Sequence, residues 1–144
     1  MDKPLIGCIA VIVAGADKLV GLECSKGRGL ILPGGRWEVE KDRTYHHAAS
    51  REAKEEVGLD CPAANLKYLW HGPDGFGYDT FSFLAYQPRP IELPASTPSG
   101  RPCFVTVNDL MQSKFAAYYA VLFDQFSLSY LYYCGQSYNS HIPA

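Results

Sequence analysis

A chain of 144 residues is long enough to bury a core of its own and short enough to be a single domain. Its 47 % apolar and 19 % charged residues exclude a disordered or membrane composition, and a formal net charge of −2 supplies no field for a polyanion, which argues against duplex nucleic acid as a partner. Five widely spaced cysteines without a Cys-x-x-Cys pair read as reduced thiols of a cytoplasmic protein, not as a disulfide frame or a zinc site.

The apolar run Leu5 to Ala14 is half as long as the roughly twenty residues that span a bilayer, so it reads as a buried strand. One preceding Lys and no small-residue cleavage site argue against an export signal. Gly15-Ala16-Asp17 joins this run to Lys18 to Cys24, a hairpin composition. Leu30 to Leu32 is a third short run that ends at Pro33-Gly34-Gly35, where a sharp turn is expected. Thr44 is placed to cap a helix that runs to about Val57, with Gly58 as its left-handed terminator. Leu66 to Trp70 and Tyr78 to Gln87 read as strands around a Gly-rich loop from His71 to Gly77. The five prolines of Pro88 to Pro102 predict a long surface loop. A helical turn from Val107, capped by Thr106 or Asn108, precedes a helix over Phe115 to Phe126. The tail, Ser127 to Ala144, carries Tyr130, Tyr132, Tyr133 and Tyr138 and leaves three readings open: an added strand, a cover on the core, or a homodimer contact.

The chemistry concentrates in the middle helix. Glu52 and Glu56 are four apart and Glu55 is three from Glu52, so the three carboxylates share one side, while Ala49, Ala53 and Val57 form a separate stripe able to pack on a sheet. Like charges so close repel, and a hard divalent cation is their natural partner, because Mg²⁺ (or Mn²⁺) favours carboxylate oxygens and keeps positions open for phosphate. Arg51 adds a planar fork suited to carboxylate or phosphate. Gly34 and Gly35 bring backbone close to a ligand, so that a carbonyl there reaches the same metal. A Glu-rich helix alone is usually a solvated face; Gly-Gly before it and Gly-apolar after it are what set this one apart.

In this combination the chain resembles the Nudix hydrolase family, whose box reads Gly-x5-Glu-x7-Arg-Glu-U-x-Glu-Glu-x-Gly-U with U apolar. Arg51-Glu52-Ala53-Lys54-Glu55-Glu56-Val57-Gly58-Leu59 matches every specified position of its second half. The resemblance implies an α+β fold, a Nudix-like α/β/α sandwich with a mixed, partly antiparallel sheet, in one domain. It also implies Glu52, Glu56 and the Gly34 carbonyl as metal ligands, Glu52 and Glu55 as catalytic groups, and Arg51 as the residue that orients a glutamate. The first half departs from the pattern: counted back from Arg51, the box's Glu and Gly fall on Arg43 and Trp37. About two residues are inserted between Gly35 and Arg51, and Glu38, Glu40 and Asp42 are the candidates to replace the missing acid.

Outside the box, Arg36 and Phe76 are the expected substrate contacts, on phosphate and base respectively, while Trp70 is expected in the core. His46 and His47 read as solvated or capping, and Asp79 and Glu92 as weak candidates for a further acid. The expected function is Mg²⁺-dependent cleavage of a phosphoanhydride in a small nucleotide substrate, such as a nucleoside triphosphate or nucleotide sugar. The alternative is a catalytically silent module of the same fold.

Overall fold

The computed structural model describes residues 5–87 and 90–139. In chain order its elements are β1 (Leu5–Gly15), β2 (Lys18–Cys24), β3 (Leu30–Ile31), β4 (Gly34–Arg36), α1 (Tyr45–Val57), β5 (Lys67–Pro73), β6 (Tyr78–Tyr86), β7 (Gly100–Val105), α2 (Val107–Leu110), α3 (Ala116–Gln125) and α4 (Leu128–Asn139). One mixed sheet carries all seven strands, with α1 on one face and α3 and α4 on the other, which is the α+β sandwich expected.

Strand β1 is the spine. It pairs in parallel with β6 from Leu5↔Tyr78 to Val13↔Tyr86, while every other ladder is antiparallel. Along its other edge β1 meets β2 only near the hairpin, at Val13↔Leu19, and then diverges from it. Strand β4 fills the fork on the β1 side, through Gly7↔Arg36, Cys8↔Gly35 and Ile9↔Gly34, and β3 fills it on the β2 side. Cys8, Ala10 and Ile12 of β1 point toward α1, while Val11 and Val13 point toward α3 and α4. Burial on both faces is why this strand reads as an unbroken apolar run without alternation.

Thr44 caps α1 by accepting a hydrogen bond from the His47 backbone N–H (3.2 Å), and Gly58 closes it at φ 74° with its N–H bonded to the Lys54 carbonyl. Ala48, Ala49, Ala53 and Val57 are all buried, so the helix lies against the sheet on its smallest side chains. That close approach fixes which side of α1 carries the acids.

Two expectations change, and one open reading narrows. The Gly-rich loop is shorter, Asp74 to Gly77, because β5 continues through His71 to Pro73 against β6. The Pro-rich stretch is not loop throughout: Gly100 to Val105 forms β7 on the edge of β2, with Pro102 opposite Leu22. Its partner lies some eighty residues earlier, so no local pattern announces it. The described part of the tail is a helix, not a strand, and serves as a cover: Leu128 and Leu131 are buried with Val11, Val13 and Leu122. Residues beyond Asn139 lie outside the described ones. No helix among the described residues is long and apolar enough to cross a membrane.

Leu131 is fully buried whereas Tyr133 is 69 % exposed. Leu131→Ala is therefore expected to lower unfolding stability by about 2–5 kcal/mol, and Tyr133→Ala to change it by less than about 0.5 kcal/mol, both measured by urea denaturation. Equal effects would mean that α4 does not seal the core.

Candidate active site

Strand β4 lies across the acidic side of α1, and three consecutive residues meet three helix side chains. The Gly34 N–H donates to Glu56 Oε1 at 2.7 Å, Gly35 faces the Glu52 carboxylate, and the Arg36 carbonyl accepts from Arg51 Nη2 at 3.1 Å. A Cβ on Gly35 would fall within the Glu52 carboxylate, and one on Gly34 would lie 2.7 Å from the Cys8 carbonyl oxygen. The chain bends at Pro33, just ahead of the glycines, and neither glycine has a positive φ. Both are glycine because a strand must pass where no side chain fits.

Arg51 is the hub. Its Nε and Nη2 each donate to Asp42 at 2.9 Å, and Nη1 donates to Glu52 Oε1 at 2.9 Å and to Glu55 Oε2 at 3.3 Å. Asp42 is buried, and its second task is to accept from the Glu38 backbone N–H at 2.9 Å. The Trp37 indole N–H donates to the Asp42 carbonyl at 3.2 Å. Among the three acids of the lengthened loop, Asp42 is thus the one bound to the helix. Glu38 stands 3.9 Å from Arg51 Nη2 and pairs with Lys41, and Glu40 is exposed.

Burial and mutual repulsion make Glu52 and Glu56 reluctant to ionise. Burial pushes Glu56 up to about 8, with Glu52 and Glu55 adding to the rise and the Gly34 N–H and Arg28 opposing it. Glu52 is raised for the same first reason, against the pull of Arg51. Asp42 moves the other way, held down by its hydrogen bonds from Arg51. Among the described residues no three His, Cys, Asp or Glu side chains converge as a finished cation cage, since Arg51 engages Glu52 and Glu55 and Gly34 engages Glu56. The donor set is nonetheless that of a hard cation: carboxylate oxygens whose charge is penalised by burial.

On the far side of β4 lies a cavity of about 410 Å³. Arg36 and Phe76, the two expected substrate contacts, both line it, as does Gly34. Arg28, Lys114 and Phe115 line it as well, and no local pattern marks them because Arg28 and the adjacent pair Lys114 and Phe115 arrive from two separate loops. The Lys114 backbone N–H donates to the Arg28 carbonyl at 3.4 Å, which brings two cations to one rim. Lys114 Nζ stands 4.3 Å from the Phe76 ring centroid, and Phe115 meets that ring edge-on at 5.3 Å. Asp74 orders the Phe76 loop by accepting from the Phe76 and Tyr78 backbone N–H groups.

The remaining candidates are structural. Trp70 packs against Tyr118 at 5.1 Å, His47 bonds the capping Thr44, Asp79 pairs with His71 at 2.9 Å, and Glu92 is exposed.

A family model described as NUDIX domain matches residues 5–126. Comparison with curated proteins gives no match. Among solved structures, the NUDIX domain of Shewanella oneidensis NrtR complexed with ADP ribose is 18 % identical at TM-score 0.68, covering 87 % of each chain. A MutT/nudix family protein from Enterococcus faecalis is 23 % identical at TM-score 0.59, over 74 % of this chain and 45 % of its own. A bifunctional NMN adenylyltransferase/ADP ribose pyrophosphatase from Francisella tularensis, complexed with AMP and a Mn ion, is 17 % identical at TM-score 0.63, over 84 % of this chain and 41 % of its own. The chain thus spans less than half the length of the last two.

Glu56 has a folded pKa of about 8, above 4.5 for the free side chain, so its favourable contribution is complete below pH 4.5 and is lost as pH rises through 8. In EDTA the urea midpoint is expected to fall between pH 5.5 and 8.5, and to fall less in Glu56→Gln; an unchanged slope in the variant would refute the assignment. Asp42→Asn removes the charge opposite Arg51 without changing size, and is expected to cost roughly 1–3 kcal/mol in the same assay. A neutral result would mean that the loop holds without it.

Proposed function

The chain belongs to the Nudix hydrolase family, and from that membership we propose that it is a Mg²⁺-dependent pyrophosphohydrolase acting on a small nucleoside diphosphate-linked substrate. The observation that carries this reading is the adjacency of opposites. A buried carboxylate cluster on α1 and a cavity rimmed by Arg28, Arg36 and Lys114 are separated only by a strand that has no side chains at Gly34 and Gly35. A phosphate chain needs both sides: cationic groups to receive it and acids to hold the counter-ion it shares.

In this reading Glu52, Glu56 and the Gly34 carbonyl hold magnesium, for which manganese substitutes. When bound, the ion neutralises charge on the acids and on the phosphoanhydride. The protein's own groups do the rest. Arg36, Arg28 and Lys114 take the phosphate oxygens and fix the chain beside β4. Glu55, whose side chain is 52 % exposed at the end of the Arg51 fork, accepts the proton of the attacking water. The water oxygen bonds to phosphorus as the bridging oxygen departs with the bond's electrons. Arg51 acts as a positioning residue, since one guanidinium fixes both Glu52 and Glu55. Phe76 and Phe115 offer the apolar wall on which a base rests.

The alternative, a module that binds a nucleotide without turnover, draws on the lengthened loop and on the hydrogen bonds that already occupy Glu52 and Glu56. A panel of nucleoside triphosphates, nucleotide sugars and ADP-ribose, scored by released phosphate and pyrophosphate with and without Mg²⁺, separates the two. Activity that requires the ion, and that drops roughly 100-fold or more in both Glu52→Gln and Glu56→Gln, is the expected result. No turnover on any member of the panel would favour the silent module, and turnover indifferent to both substitutions would remove these glutamates from the site.

A further inference from the structure

Immediately before Gly34 the chain changes strand partners, and one distant side chain secures the change. Leu30 and Ile31 pair with β2 through Glu23↔Leu30 and Leu22↔Ile31, whereas Gly34, Gly35 and Arg36 pair with β1. Between the two ladders the Pro33 carbonyl accepts from the Ala10 N–H at 2.9 Å. The Leu32 N–H belongs to neither ladder, and Leu32 is buried, so that its donor needs an acceptor from elsewhere. The Tyr119 hydroxyl is that acceptor, at 3.0 Å, and it comes from α3, on the face of the sheet opposite α1.

Tyr118, the residue beside it, is equally buried but is spent on another strand. Its hydroxyl donates to the Thr80 carbonyl at 2.8 Å and lies 2.6 Å from Ser82 Oγ, both on β6. Consecutive helix residues point about 100° apart, which is how one turn of α3 ties down two strands. Of the two bonds, the one from Tyr119 reaches the segment that ends at Gly34. The Gly34 N–H in turn donates to Glu56 Oε1 at 2.7 Å. Pro33 stands between the two bonded amides, and its fixed φ stiffens the link. Contacts thus run from α3 to α1 through the fork between β1 and β2: hydroxyl, Leu32 N–H, Pro33, Gly34 N–H, carboxylate.

We infer that Tyr119 is a positioning residue for the contact between Gly34 and Glu56, its hydroxyl holding segment 32–34 so that the Gly34 backbone meets the carboxylate in one fixed place. A backbone carbonyl has no rotamer to adjust, so it serves as a ligand only where the strand that carries it is pinned, and partners behind the ligands do the pinning. Without the hydroxyl, a buried Leu32 N–H would be left unsatisfied and the segment would shift to relieve it. The inference rests on the reading of Gly34 and Glu56 as cation ligands, but the placement of Gly34 is measurable without any cation.

The test compares Tyr119→Phe with Tyr118→Phe, each of which removes one buried hydroxyl and keeps the ring. Both are expected to lower the urea midpoint. In amide NMR spectra of the metal-free chain, the Gly34 resonance is expected to move in Tyr119→Phe toward its position in Glu56→Gln, and to stay in place in Tyr118→Phe. Titration with Mn²⁺, followed by electron paramagnetic resonance, is expected to show about tenfold weaker binding in Tyr119→Phe and wild-type affinity in Tyr118→Phe. Added to Glu56→Gln, Tyr119→Phe should cost no further affinity, because both act on one contact. A Gly34 resonance unmoved by Tyr119→Phe, or equal losses of Mn²⁺ affinity in the two tyrosine variants, would overturn the assignment. A wild type that binds no Mn²⁺ would instead refute the cation reading of the site, and the Gly34 resonance would still decide the role of Tyr119.

Discussion

One guanidinium holds the acidic end of this molecule together. Arg51 spends two of its nitrogens on the buried Asp42, one on Glu52 and Glu55, and a further hydrogen bond on the Arg36 carbonyl. A helix, a lengthened loop and a strand are thus fixed relative to one another by a single charged side chain. The three carboxylates of Asp42, Glu52 and Glu55 would otherwise repel one another. Arginine suits this task better than lysine, since its planar fork serves several oxygens in fixed directions while a point charge would have to choose.

The second constraint is steric. Strand β4 enters the fork between β1 and β2 only because two of its three residues lack side chains, and the same lack makes it a thin partition. Acids that resist ionisation lie on one side and a cavity with three cations on the other. Buried carboxylates with raised pKa values are a stability cost, and the cationic cavity beside them is the neighbour on which the proposed phosphate and metal roles rest.

The box motif is an address as well as a chemical set. Small residues at Ala49, Ala53 and Val57 commit one side of α1 to the sheet, so Glu52, Glu55 and Glu56 are delivered to the partition by packing and not by any attraction of their own. The longer loop tests how much variation that arrangement tolerates. Two additional residues displace the usual acid from its place in the pattern, yet the buried Asp42 reaches the guanidinium through a turn in which its own backbone bonds back to Glu38.

Much was legible along the chain. Helical spacing, the cap at Thr44, the terminator at Gly58 and the apolar runs are local facts, and they located α1, β1, β2 and β6 and gathered the glutamates on one side of a helix. Arg36 and Phe76, which line the cavity, were legible as candidates because each adjoins a glycine-marked segment that signals close approach. What remained hidden depends on contacts across the chain. The pairing of β7 with β2 overrides a proline-rich composition, α4 owes its place to packing of Leu128 and Leu131, and Asp42 differs from Glu38 and Glu40 only in what it touches. Arg28 and Lys114 come from two separate segments and share a cavity solely because the sheet brings them there. Periodicity and turn chemistry act within a few residues and are written in the sequence; which side chains of a loop face inward is decided by the fold, because burial and hydrogen bonding are properties of neighbours far away in the chain.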